Sequence, residues 1–324
     1  MFSKSLYNPG LSKNKSSLDV DRSNYMGLHL LSDDRNELKI KQLLKRFPLF
    51  SFTLNRIGID QENFIADLAP TFDALPWDNY LHRFEQIECL KTLSPSHTQQ
   101  LAMFFPDYYN GSRPLSDISD VLANLSADQL KSFHAIKPYR KRSISKFVLN
   151  RLGNGKGWNI HRIDSGTFIQ ETPDFRCLER TFHEASTEVT EHSEFKKLLC
   201  SISFFVDSIY TDIKNIEITV HQTAIVSELG RPASNSPEGV HQDGFDFIIS
   251  ALVVERKNIS GGISKVFGND KQTELLTEQL EAGSGIFQAD KGSPYWHEVS
   301  PINAIENGKD GIRKTFGFDI SVIE

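Results

Sequence analysis

Beyond residue 215 the chain is a succession of short runs rich in Ile, Val, Phe and Thr, over residues 216–226, 245–254, 262–267, 283–287 and 315–322. Turn formers such as Gly261-Gly262 and Asn307-Gly308-Lys309-Asp310-Gly311 separate several of them. β-Branched and aromatic side chains suit a pleated surface, and Gly and Asn supply the sharp reversals between strands. A single hairpin of this kind would leave its apolar face wet, so many together predict a sandwich or jelly roll. Runs at 142–149 and 167–170 extend the pattern upstream, past the turn Gly153-Asn154-Gly155. One helix, read over 175–210, interrupts it, with Leu198, Leu199, Ile202, Phe205 and Ile209 at helical spacing. The 23 Phe, against 3 Trp and 8 Tyr, suit an aromatic core between sheets.

The first part of the chain reads differently. Residues 1–25 are rich in Ser, Lys, Asn and Asp and predict a mobile lead. Ser32 suits a helix cap, with Leu38, Leu43, Leu44 and Phe47 behind it and a stop at Pro48. Residues 60–68, 99–105 and 117–133 also read mainly as helix. The expected organisation is a lead over 1–25, a mostly helical region over 26–135, and a β domain over 136–324. The helical region shows no chemical motif.

Charge and composition narrow the function. A net charge of −6 and a pI near 6.0 argue against nucleic acid as a partner. The cluster Arg140-Lys141-Arg142 is short and reads as solvated or structural. Cys89, Cys177 and Cys200 are isolated, which predicts a reducing compartment and no disulfide framework. No run of 18 apolar residues predicts a membrane span. Met1-Phe2-Ser3-Lys4 lacks the apolar core of a signal peptide, so the expected location is cytoplasmic. Oligomeric state is left open.

The segment Pro237-Glu238-Gly239-Val240-His241-Gln242-Asp243-Gly244 carries the chemistry. On a strand, residues two apart share a face, so His241 and Asp243 reach one point while Gln242 turns away. Gly244 lets the backbone turn close by. His297, after the turn Gly292-Ser293-Pro294, supplies a third donor. Two imidazoles and one carboxylate are the donor set of a three-ligand iron site with positions left open for a co-substrate and O2. Arg313 opens the last strand and offers a fork for the far carboxylate of a dicarboxylate co-substrate. Thr315 alternates onto the same strand face and adds a hydroxyl.

These residues resemble a known family. Residues 237–247, then Glu255-Arg256-Lys257-Asn258-Ile259-Ser260-Gly261-Gly262, and later Asp290, His297 and Gly311-x-Arg313, are similar in order to the 2-oxoglutarate/Fe(II) dioxygenases that include bacterial isoleucine hydroxylases of free amino acids. Tyr139-Arg140-Lys141-Arg142-Ser143 resembles that family's opening, so the likeness spans about residues 137–320. The resemblance implies a double-stranded β-helix (jelly roll, cupin-like). It also implies that His241, Asp243 and His297 hold Fe(II), that Arg313 holds 2-oxoglutarate, and that O2 is consumed to hydroxylate a free L-amino acid or close derivative. A carboxylate at Asp243 implies hydroxylation rather than halogenation, with desaturation and cyclisation as variants of the same chemistry. One departure is Ala224, where some members carry a basic residue.

Other readings compete. Arg313 is a candidate for a surface ion pair with Asp310 or Glu306. Glu238 and Asp246 suit either orientation of the ligands or a solvated turn, and His221, on the strand leading to the motif, is read first as a core or surface histidine and second as pointing into the pocket. The same fold also serves metal enzymes that need no 2-oxoglutarate and binding proteins that need no metal. The helical region offers a dock for a carrier-tethered amino acid.

Overall fold

The computed structural model describes residues 42, 44–153, 157–210 and 212–323. The lead over 1–25 and the Ser32 cap lie outside the described residues. Among those described, twelve strands form three sheets: β1 (Leu49–Thr53), β2 (Arg140–Arg151), β3 (Trp158–Ile163), β4 (Asn215–Ser227), β5 (Phe247–Lys257), β6 (Ile259–Gly261), β7 (Ser264–Phe267), β8 (Glu274–Glu278), β9 (Ser284–Ala289), β10 (Trp296–Val299), β11 (Ile302–Ala304) and β12 (Gly311–Ile323). The main sheet runs β1-β9-β5-β12-β4-β2-β3, and two smaller ones run β10-β7-β8 and β11-β6. This is a cupin-like jelly roll: the turn-divided apolar runs predicted a sandwich or jelly roll, and the resemblance implied the double-stranded β-helix.

Period-two alternation on β12 decides what faces where. Phe316, Phe318 and Ile320 are fully buried in the apolar core. Arg313, Thr315, Gly317 and Asp319 take the alternate positions and line a cavity. Register carries that face across the sheet: Arg313 pairs with Ile225 and Thr315 with Thr223 on β4, which pair with Arg140 and Arg142 on β2. Helix α5 (Ser193–Ile209) covers the apolar face. Its Phe195 meets Phe316 at 5.5 Å and Phe318 at 6.4 Å between ring centroids. Rings of this size contribute most of the burial energy of such a layer, about 1.5–3 kcal/mol each.

The first part is mostly helical, as expected. Helix α1 (Gln61–Leu68) starts where Asp60 accepts the Asn63 amide, and α2 (Asn79–Leu93) starts at Asp78. Helices α3 (Thr98–Asn110) and α4 (Ala127–His134) follow, the latter opened by a capping box from Ser126 and Gln129. None of the helices described is long and apolar enough to cross a membrane.

Four readings are corrected. Residues 49–53 form β1, an edge strand of the main sheet paired with β9, inside the region read as helical. The helix read over 175–210 begins only at Ser193, because residues 183–185 give their backbone bonds to Ile144 of β2 instead. Residues 167–170 make one bridge, Phe168 to Arg180, rather than a strand. His241 likewise sits in a single bridge, to His297, and not on a regular strand.

Candidate metal centre

Two residues far apart in sequence are joined first by backbone. His241 and His297 exchange N–H···O bonds of 3.0 Å in both directions. Gln242 turns away, as expected, and donates to the carbonyls of Tyr295 at 2.8 Å and Ser293 at 3.1 Å, tying its segment to the turn before β10. Asp290 accepts the amides of Asp243, Gly244 and Phe245, the shortest at 2.7 Å from Gly244. Gly244 has φ +96°, a conformation that L side chains rarely adopt.

His241, Asp243 and His297 come together as expected, with their three candidate donor atoms within 4.8 Å of one another. His241 Nε2 lies 3.4 Å from Asp243 Oδ1, and His297 Nε2 lies 3.4 Å from Asp243 Oδ2. Ligands at about 2.1 Å from one metal, on neighbouring positions, stand roughly 3 Å apart. The Gly239 carbonyl accepts from His241 Nδ1 at 2.8 Å, which places the proton there and turns the Nε2 lone pair inward. Gln170 and Arg176 both donate to Asp243 Oδ1, each at 3.0 Å, while Oδ2 is the oxygen that faces His297 Nε2. Burial opposes charge on Asp243, yet His241 and His297 outweigh it and hold the carboxyl well below the usual range. Burial opposes charge on His241 too, but Asp243 and Glu238 raise it to about 10. The cluster therefore demands positive charge where its donors converge, and a divalent cation fits that demand.

Arg313 and Thr315 line the same cavity as the three candidate ligands. Arg313 is 3% exposed and gives one bond, from Nη1 to Asn235 Oδ1 at 3.0 Å. Its Nε and Nη2 are buried without a partner among the described residues. The competing ion pair with Glu306 is not made, since Glu306 pairs with Lys309. Burial, and Arg256 beside it, push the guanidinium down to about 9.

Several residues of the site carried no sequence signal. Gln170 and Arg176 act across 73 and 67 positions, and nothing local marks them. Glu238, weighed as an orienting group, reaches His241 Nε2 at 3.0 Å, whereas Asp246 accepts from the Val322 amide. His221 is buried but lines the cavity, between Arg142 at 2.6 Å and Asp319 at 2.7 Å. The cluster Arg140-Lys141-Arg142 is not a solvated run: Arg140 and Arg142 line the cavity, while Lys141 lies over Trp77.

Residues 119–319, well over half of the chain, match the family described as 2OG-Fe dioxygenase. No curated protein matches the sequence. The fold is similar to IDO from Bacillus thuringiensis, at a TM-score of 0.59 and 13% identity over 90% of this chain and 98% of that one. It is similar to a bsmA homolog from Methylobium petroleophilum PM1, at 0.55 and 15% identity over 88% and 93%. It is also similar to the Fe(II)/(alpha)ketoglutarate-dependent dioxygenase TqaL, at 0.53 and 12% identity over 94% and 92%. The chain belongs to the 2OG-Fe dioxygenase family, whose cofactors are Fe(II), 2-oxoglutarate and O2.

Proposed function

We propose that this chain hydroxylates an unactivated C–H of a free L-amino acid or close derivative, with His241, Asp243 and His297 holding Fe(II) and Arg313 holding 2-oxoglutarate. One observation carries the reading. Arg313 is a buried guanidinium without a carboxylate among the described residues, in the same cavity as the two histidines and Asp243. Such a group is costly to bury alone and is relieved by a carboxylate held in its fork.

Fe(II), 2-oxoglutarate and O2 together supply an oxidative decarboxylation to succinate and CO2, with one oxygen atom going to succinate and the other to the substrate carbon. The chain's own part is placement. The His241–His297 backbone pair and the Asp290 loop clamp hold the three donors in position. Gln170 and Arg176 fix one oxygen of Asp243 and leave the other turned inward. Thr315 offers a hydroxyl beside Arg313. Phe175 lines the cavity on the helical side and is stacked on Phe84 of α2 at 3.8 Å between ring centroids. An amino acid suits the remaining lining, which offers guanidinium groups for a carboxylate and Glu238 for an ammonium.

The test is succinate release from 2-oxoglutarate with Fe(II), ascorbate and air, across a panel of free L-amino acids. The expected result is that one of them raises succinate and gains one oxygen atom. If none does, from protein that binds both Fe(II) and 2-oxoglutarate, the amino-acid reading fails.

A further inference from the structure

We infer that Arg142 and Arg180 form a second anion subsite in the cavity, which takes the carboxylate of the substrate. The inference rests on the hydroxylase reading only in naming that acid as the α-carboxylate of an amino acid.

The arginines of the cavity fall into two groups. Arg140 is paired with Asp78 at 2.8 Å, and Arg176 with Asp174 at 2.9 Å and Asp243 at 3.0 Å. Arg142 and Arg180 make no ion pair with a carboxylate among the described residues. Arg142 Nη2 donates to His221 Nδ1 at 2.6 Å, and Arg180 Nη2 to Gln170 Oε1 and the Arg176 carbonyl, both at 2.9 Å. The Nε of each is buried without an acceptor. Phe168 lies against both guanidinium groups, 5.6 Å from Arg142 and 4.9 Å from Arg180, so two like charges share one ring. Cation–π contact compensates a buried cation less than a carboxylate does. Burial, and the nearby Arg140, push Arg142 down to about 10 and lower Arg180 as well. In the proposed reading the far carboxylate of 2-oxoglutarate is taken by Arg313 and its keto-acid end by the metal, so neither is left for Arg142 and Arg180.

Orientation points the same way. Arginine only donates, so His221 Nδ1 accepts and its Nε2–H donates to Asp319 Oδ2 at 2.7 Å. That chain fixes Arg142 through one amino nitrogen, while its buried Nε has no partner among the described residues. The β-sheet register places Arg142 across β4 from Thr315, about 10 Å away at two strand spacings. Arg313 and Arg142 thus face the cavity from separate strands, which gives the co-substrate and the substrate an acid-binding group each.

The experiment is calorimetry on the protein loaded with Fe(II) and 2-oxoglutarate under nitrogen. The probes are L-amino acids, their carboxamides, simple monocarboxylates and inorganic phosphate. Binding of the acid at least tenfold tighter than its amide, and loss of that preference in Arg142→Gln and Arg180→Gln, support the subsite. Arg142→Lys should recover part of it. The 2-oxoglutarate Kd is measured in the same variants, which shows that each still folds. A larger effect on 2-oxoglutarate than on the amino acid overturns the inference, as does equal binding of acid and amide. If phosphate or a non-amino carboxylate binds with this arginine dependence and no amino acid does, the subsite stands and the amino-acid reading fails. If amino acids bind without it, the subsite alone fails.

Discussion

His241 and His297 are locked to one another through their main chains, each amide bonded to the other's carbonyl at 3.0 Å. Their rings stand 4.2 Å apart between centroids, with Asp243 reaching both. The pair is therefore positioned by the fold rather than by the ion, and the metal needs little reorganisation to enter.

Asp243→Ala removes one ligand and leaves His241 and His297 in place. Iron affinity and hydroxylation should both fall by more than about 100-fold, because loss of a group that only orients a ligand already costs about 10–100-fold. Arg176→Gln should fall within that smaller range. Metal content after dialysis, read beside succinate release, checks both.

Arg313→Gln removes the charge that the co-substrate is expected to meet. Losing one partner of a buried charged pair costs about 2–5 kcal/mol, so the 2-oxoglutarate Kd should rise by at least about 30-fold. An unchanged Kd would assign the far carboxylate to another group. Calorimetry under nitrogen measures it directly.

Asp78 joins the helical region to the sheet. It caps α2 through the Tyr80 and Leu81 amides and pairs with Arg140 at 2.8 Å, fully shielded from solvent. Asp78→Ala strands a buried guanidinium and should cost about 3–5 kcal/mol, visible as a lower Tm. Removing residues 1–135 would also take β1 from the edge of the main sheet. We expect no folded product, because Phe50 and Phe52 belong to the main core.

His221 sets a pH dependence of stability. Burial, then Arg142, hold its imidazole well below the ordinary 6.5, and it faces Arg142, Asp319 and Phe168. The unfolded chain takes up a proton there that the folded chain refuses. This contribution to stability is therefore complete above about pH 6.5 and is lost as pH falls toward the folded pKa, with a slope of at most about 1.4 kcal/mol per pH unit. Urea unfolding between pH 5 and 7.5 should show the loss, and His221→Gln should flatten it.

What the sequence disclosed follows a physical line. The long strands β4, β5 and β12 were legible because apolar alternation is local. The three candidate ligands were legible less from His241-x-Asp243, a spacing common by chance, than from its combination with His297, Arg313 and the family resemblance. β1 was hidden because Leu49–Thr53 is only five residues long, between helical patterns. Gln170, Arg176 and Arg180 were hidden because their partners lie in contacts that only the folded chain makes. Arg142 was visible as a charge but not as a cavity residue, since its facing depends on the register of β2 against β4.

The most direct test of the site is titration under nitrogen with Fe(II) and then 2-oxoglutarate, on the unaltered chain and on Asp243→Ala. The expected result is one Fe(II) per chain, 2-oxoglutarate binding that depends on that iron, and loss of both in the variant. Iron binding of equal strength in Asp243→Ala, or 2-oxoglutarate binding that ignores the metal, would contradict it.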